Sequence, residues 1–340
     1  MTHSQRLLFG DADAVDPVAH DDARHRLGAS LSPHVHLGTS SWSFPGWTGL
    51  VYAPRGNRPA TEQVLARHGL SAYAVHPLFR TVSLDRTFYA PLTRGEFAAY
   101  ASQVPDGFRF VVKAPAAFTD PVIRAAGGQA ARENPSFLDA AAASATFVAP
   151  ALEGLGAKAG PLVFQFPPLG RRLLADLPRT IARVTAFMAA VAGRRAWPAD
   201  AAPRLAVEVR DPELASAALA RGLADAGVIP CLAVHARMPP VAEQAATFGL
   251  DRDECTLPLV ARWNLHAGHA YEEAKRAYFP FDRIVEEDVP TREALARLAS
   301  RAAARGRDVF ITVNNKAEGS APCSVERLAA AIAEAVRARA

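Results

Sequence analysis

The feature that most constrains this chain is an alternation. From residue 34 onward, eight short β-rich runs are separated by stretches rich in Ala, Leu and Arg. The runs cover 36–41, 81–86, 108–113, 162–166, 205–209, 229–234, 257–262 and 309–313. Helix signals fill the intervals. Thr93-x-x-Glu96 spells a capping box, in which the hydroxyl and the carboxylate each satisfy a free N–H of the first turn. Gly193 and Gly227 stand where the stretches 178–192 and 214–226 should end, since glycine closes a helix in the left-handed conformation without steric penalty. Pro290 and Gly306 bracket 291–305, and Ser324 is placed to cap 325–338. Strands alternating with helices predict parallel strands joined by crossovers. Eight such units predict one closed (β/α)8 TIM-type barrel. An open doubly wound sheet would carry a glycine-rich phosphate turn after its first strand. That turn reads GTSSWSFPGWTG here, without G-x-G-x-x-G.

At 340 residues, half of them hydrophobic, the chain can bury a large core. The domain is expected over 34–340, after a loose polar extension over 1–33 that contains Asp11, Asp13, Asp16, Asp21 and Asp22. Insertions are expected at 127–135, 193–203 and 238–253. No apolar run marks a signal peptide or is expected to span a membrane, so no membrane partner is expected. Cys231, Cys255 and Cys323 are odd in number and far apart, which suits a reducing compartment, the cytoplasm. The net charge of +4 leans mildly towards anionic partners, a small molecule or a nucleic acid. Nothing in the sequence sets the oligomeric state.

In a TIM-type barrel, ligands sit at the carboxyl ends of the strands. Those ends are polar almost throughout. In order they present Ser40, Ser41 and Trp42; Asp85, Phe88 and Tyr89; Lys113; Gln165; Glu208 and Arg210; His235 and Arg237; Arg262, Trp263 and Asn264; and Asn314, Asn315 and Lys316. Core packing alone does not ask for this.

The blocks LGTSSWSFPGW, TFYAPL, FRFVVKAP, GPLVFQFPP, LAVEVRDPE, ARWNLH and TVNNKAEGSAP, in this order, resemble the signature of the YecE-like family, the proteins of domain of unknown function 72. The resemblance implies a TIM-type barrel over about 36–335 and no assigned biochemical role. A distant likeness to barrels of the endonuclease IV type implies DNA binding, by analogy of fold. The chain departs from the family pattern at four positions. Ser83 and Asp85 stand where the family has glutamate and asparagine, and Asp120 and Asp211 where it has histidine.

Glu208 and Arg210, two apart on a strand, share a face, either as a structural pair or as ligand contacts. Arginine beside Glu208 should lower its pKa, which suits positioning rather than acid catalysis. Arg262, Asn314, Asn315, Lys316, Gly319 and Ser320 together suggest an anion site. Barrels bind phosphate with the loops after strands seven and eight, and a helix amino end favours anions. Asn314 and Asn315 could instead satisfy turn backbone. Trp42, Trp47, Phe88, Tyr89 and Trp263 could stack a base or simply pack. Gln165 and Asn264 add hydrogen-bonding groups. His266-x-x-His269, with His235, Asp85 and Glu208, is too sparse for a multi-metal site, so no metal and no cofactor is expected.

Three functions follow from these residues. The first is an enzyme on a phosphorylated or nucleotide-like substrate, a phosphodiester among them, with Glu208 and Asp85 orienting water and Lys113 and Arg210 stabilising charge. The second is a non-catalytic nucleic-acid-binding barrel. The third is a lyase using Lys113 as a Schiff base.

Overall fold

The computed structural model describes residues 14–54, 60–123, 132–193 and 203–338. Eight parallel strands close a barrel: β1 (Val35–Thr39), β2 (Thr81–Leu84), β3 (Arg109–Lys113), β4 (Ala159–Phe166), β5 (Leu205–Val209), β6 (Ile229–Val234), β7 (Leu259–Trp263) and β8 (Val309–Val313). Neighbours in sequence are neighbours in space, and β1 pairs with β8 to close the ring, Val35 opposite Val309. The expected (β/α)8 barrel is thus the fold.

Inside the ring, the lower layer is apolar: Val111, Val163, Ala206, Cys231, Val260 and Phe310 cluster together. Side chains on a strand alternate faces, so residues two further on also point inward. Those residues are Lys113, Gln165, Glu208, Ala233, Arg262 and Thr312. The plug of the barrel therefore turns from apolar to charged within one repeat, at the carboxyl ends. The outward positions, among them Phe164, Phe166, Val207, Val209, Trp263 and Ile311, are buried in the main core with the surrounding helices.

Several local expectations are met and others shift. The Thr93–Glu96 capping box forms on the helix Arg94–Ala101. Gly227 and Gly306 take positive φ, 66° and 70°, but Gly193 stays at φ −77°. The stretch from 214 begins as a 3-10 turn, Pro212–Leu214, and its helix, Ala217–Asp225, is capped by Ser216. The last helix runs Ala321–Arg337, with Ser320 at its N-cap position. Ser324 therefore lies inside the first turn and does not cap, because Pro322 is already helical.

The described part of the amino-terminal extension, residues 14–33, contains a helix. Asp21 caps the helix Asp22–Ser30, and Arg24 pairs with Glu326 at 3.0 Å. Residues 1–13 and most of the insertions at 127–135 and 193–203 lie outside the described residues. The third insertion contains the helix Val241–Thr247.

Contrary to expectation, one helical stretch, Ala140–Lys158, is long and apolar enough by composition to cross a membrane, with mean hydropathy 1.2. Alanine supplies much of that hydropathy. Phe147, Val148, Ala151 and Leu155 are buried, and the helix Ala149–Leu155 packs on the helix Arg94–Ala101.

Candidate functional site

The charged inner layer is a buried ion network. Glu208 is fully buried. Arg262 Nη1 donates to its Oε2 at 2.9 Å, and Arg210 Nη2 pairs with its Oε1. The other terminal nitrogen of Arg262, Nη2, donates to both oxygens of Asp85 at 2.9 and 2.8 Å. Ser83 Oγ donates to Asp85 Oδ1 at 2.6 Å. Burial by itself would raise the Glu208 pKa, but Arg210 and Arg262 outweigh it and hold the carboxyl at about 2. Burial by itself would lower the Arg262 pKa, but Asp85 and Glu208 outweigh it and raise it above the ordinary value. Glu208 is therefore a permanent anion that positions two guanidinium groups. A proton carrier at neutral pH would need a pKa near 7.

Two of the four positions at which the sequence departs from the pattern it resembles, Ser83 and Asp85, are thus hydrogen-bonded to each other and tied to Arg262. Two other departures are structural: Asp211 accepts from Leu169 N at 2.7 Å, and Asp120 accepts from Val122 N at 3.0 Å.

Above the network lies a cavity of about 400 Å³. Its wall includes Asp85, Lys113, Gln165, Arg210, Arg237, Arg262, Asn264 and Asn314, with Phe88, Tyr89 and Tyr271. Lys113 Nζ lies 3.5 Å from the centre of the Phe88 ring. Burial, then the charge of Arg262, lowers the Lys113 pKa to about 8. His235 also lines the cavity, and burial and Arg210 lower its pKa to about 4, so it is neutral at pH 7. Four cations (Lys113, Arg210, Arg237, Arg262) meet two carboxylates (Asp85 in the wall, Glu208 beneath it), an excess of two positive charges. Neither Lys113 nor Arg237 has a carboxylate within ion-pair distance among the described residues. Tyr89 is 87% exposed and Tyr271 53%, so both present ring surface at the rim.

The structure divides the residues expected to form the anion site. Arg262 reaches the cavity, but both its terminal nitrogens are committed to carboxylates. Asn314 lines the cavity, its Nδ2 donating to Ser40 Oγ at 2.7 Å while its Oδ1 accepts from Lys316 N. Lys316 Nζ lies 4.3 Å from the centre of the Tyr271 ring, and burial followed by Lys275 lowers its pKa to about 8. Asn315, Gly319 and Ser320 are buried away from the cavity wall. Asn315 Oδ1 accepts from Trp47 Nε1 at 3.2 Å and from Ala321 N at 2.8 Å, so the amino end of the last helix is already capped. Gly319, at φ 118°, packs under Arg283 and Val285.

Trp42 is buried, donates to Leu65 O at 3.0 Å, and lines an adjoining cavity that shares Asp85. Trp47 and Trp263 are core residues. His235 and Arg237, which the sequence already places at the end of the sixth strand, line the cavity, and Tyr271 joins them from outside the residues singled out by sequence. Tyr271 opens the helix Tyr271–Tyr278 in the loop after β7, and no local signal points it at the mouth. Asp85 and Glu208 are neutralised by arginines, so they offer no metal site here. His266 and His269 stand apart from the cavity wall.

The fold and this mouth define a TIM-type barrel with a cationic, aromatic-rimmed site at its strand ends. The chain belongs to the family described as protein of unknown function DUF72, whose model matches residues 36–339. It is similar in structure to a DUF72 family protein from Enterococcus faecalis V583, with TM-score 0.54, 14% identity, and 89% of this chain and 95% of that one covered. It is also similar to one from Thermotoga maritima MSB8, with TM-score 0.54, 16% identity, and 86% and 96% covered. At these identities the likeness concerns the fold. No curated protein matches the chain.

Proposed function

We propose that the mouth binds an anionic ligand, phosphate-bearing or nucleotide-like, at the carboxyl ends of the strands. One observation carries this. Lys113 and Arg237, without carboxylate partners among the described residues, face a cavity of about 400 Å³. Arg210 and Arg262 stand behind them, and Tyr89 and Tyr271 flank them with exposed rings. A flat ring stacked on tyrosine and an anion held by two cations suit a nucleotide or a short single strand. Phosphodiester hydrolysis fits the same arrangement. Asp85 would orient the attacking water, Glu208 would position the arginines, and Lys113 and Arg210 would stabilise developing charge.

The test is a thermal-shift screen of phosphate esters, nucleotides and short oligonucleotides on the wild type, Lys113→Ala and Arg237→Ala. The expected result is stabilisation of the wild type that shrinks in both variants. Stabilisation equal in all three, or none with any anion, overturns the reading. Stabilisation by oligonucleotides alone, falling steeply with salt and without turnover, assigns the barrel to nucleic-acid binding.

The lowered pKa of Lys113 favours a second reading, imine formation with a carbonyl substrate, since an amine near 8 is partly neutral at pH 7. Borohydride trapping with a panel of aldehydes and ketones tests it, and the absence of an adduct on Lys113 ends it.

A further inference from the structure

The loop after β7 brings together a second set of side chains outside the mouth. His266 Nε2 lies 3.9 Å from Glu286 Oε1, and His269 Nε2 lies 2.9 Å from Glu286 Oε2. The two imidazoles meet edge to face with centres 5.3 Å apart. One donor atom from each of the three side chains lies within 4.8 Å of the other two. Glu273 Oε2 is 3.8 Å from His269 Nδ1, and Tyr278 donates to Glu286 Oε2 at 2.9 Å.

The tautomer of His266 follows from its neighbour. Its Nδ1 is 2.8 Å from the carbonyl oxygen of Ala267. A carbonyl only accepts, so Nδ1 carries the proton. In its neutral form the ring presents a lone pair at Nε2, which is buried and without a hydrogen-bond partner among the described residues. That lone pair faces a carboxylate oxygen. Two acceptors in this relation repel unless a positive centre stands between them. A proton is one candidate, and at 3.9 Å it would give an ion pair without a direct hydrogen bond. A metal ion is the other, and its bonds to imidazole and carboxylate, about 2.0–2.2 Å each, span that gap. A histidine whose far nitrogen donates to a backbone carbonyl is also how metal-ligating histidines are oriented.

We infer that His266, His269 and Glu286 bind a divalent transition-metal ion of the zinc class. When Glu286 turns to the ion, His269 shifts its proton to Nδ1, towards Glu273, and presents Nε2. Two imidazoles and one carboxylate leave a coordination position for water, the composition of open zinc sites. The ion would tie the start of the loop to its far side across the helix Tyr271–Tyr278, which carries Tyr271 to the mouth. His266 N also donates to Lys316 O at 2.9 Å, which joins the site to the turn after β8. None of the three ligands lines the mouth cavity, so this inference stands independently of the proposed function.

The test uses the full chain, stripped with a chelator and titrated with Co²⁺ by its visible d–d absorption and with Zn²⁺ against a chromophoric chelator. One equivalent should bind, and His269→Gln and Glu286→Gln should each weaken it at least tenfold, with far-UV circular dichroism reporting that both are folded. Lys113→Ala, in the mouth, should bind as the wild type does. No stoichiometric uptake of either ion, or equal affinity in the ligand variants, overturns the inference. So does a nitrogen NMR spectrum showing His266 as an imidazolium at neutral pH in protein that takes up no metal, because the cluster is then an ion pair only.

Discussion

Glu208→Gln isolates the centre of the buried network. Glutamine matches glutamate in size, so the change leaves no cavity and removes only the charge. Arg210 and Arg262 then lose the carboxylate they share, and Arg262 is left 2% exposed with Asp85 as its one remaining anion. Breaking one side of a buried pair costs about 3–5 kcal/mol. The titration of Glu208 leads to a similar figure. The interval from the ordinary 4.5 to about 2 amounts to roughly 3 kcal/mol, at about 1.4 kcal/mol per tenfold change in proton affinity. With a denaturant slope of about 3 kcal/mol per molar, the urea midpoint at pH 7 should fall by roughly 1 M. The sign of the pH effect is fixed. The folded pKa is depressed, so this stability is complete above about 4.5 and is lost as pH falls towards about 2. Urea melts of wild type and variant, followed by tryptophan fluorescence at steps from pH 7 downward, should converge over that window. Equal midpoints at pH 7, or a gap that persists unchanged to the acid end, would refute the argument that Glu208 is held ionised by the two arginines.

Asn315→Ala should lower stability by roughly 2–4 kcal/mol in the same melts. It removes a helix cap and leaves the buried Trp47 Nε1 without its acceptor, whereas Asn315→Asp should retain most of the stability. Gly319→Ala should destabilise by more than about 1 kcal/mol, since the residue sits at φ 118° and a Cβ would lie 2.6 Å from Arg283 O; an unchanged melting temperature would refute that packing. Lys113, followed by NMR after reductive methylation with labelled carbon, should titrate near 8, and a midpoint in the ordinary lysine range would show the amine to be solvated.

Much of the barrel is legible in the chain because strand and helix periodicity are local. All eight β-rich runs become barrel strands, displaced by at most a few residues at their ends. The inward layer can be read the same way. Glu208 follows the apolar Ala206 on β5 and Arg210 stands just past the strand's end, and the pairing of Glu208 with arginine and its lowered pKa both follow from that spacing. The turn after β8 is harder to read locally. Asn315, Lys316, Gly319 and Ser320, expected to help form an anion site, are all buried. The segment that covers the turn is contributed from elsewhere: Val285 N and Glu286 N both donate to Glu318 O, and Arg292 Nη1 donates to the Glu318 side chain at 2.8 Å. No window around residue 318 contains that information.

The sequence by itself determined the barrel, the direction of its strands and the polarity of its mouth, because each depends on steric and solvation preferences repeated every two or 3.6 residues. Only the tertiary structure decided which charges neutralise one another. Asp85 reaches Arg262 across 177 positions of chain, and Glu286 returns to His266 and His269 over a long loop. Those partnerships depend on register, barrel closure and loop path. They leave Lys113 and Arg237 facing the cavity while Arg262, the more conspicuous cation in the sequence, is already spent on carboxylates.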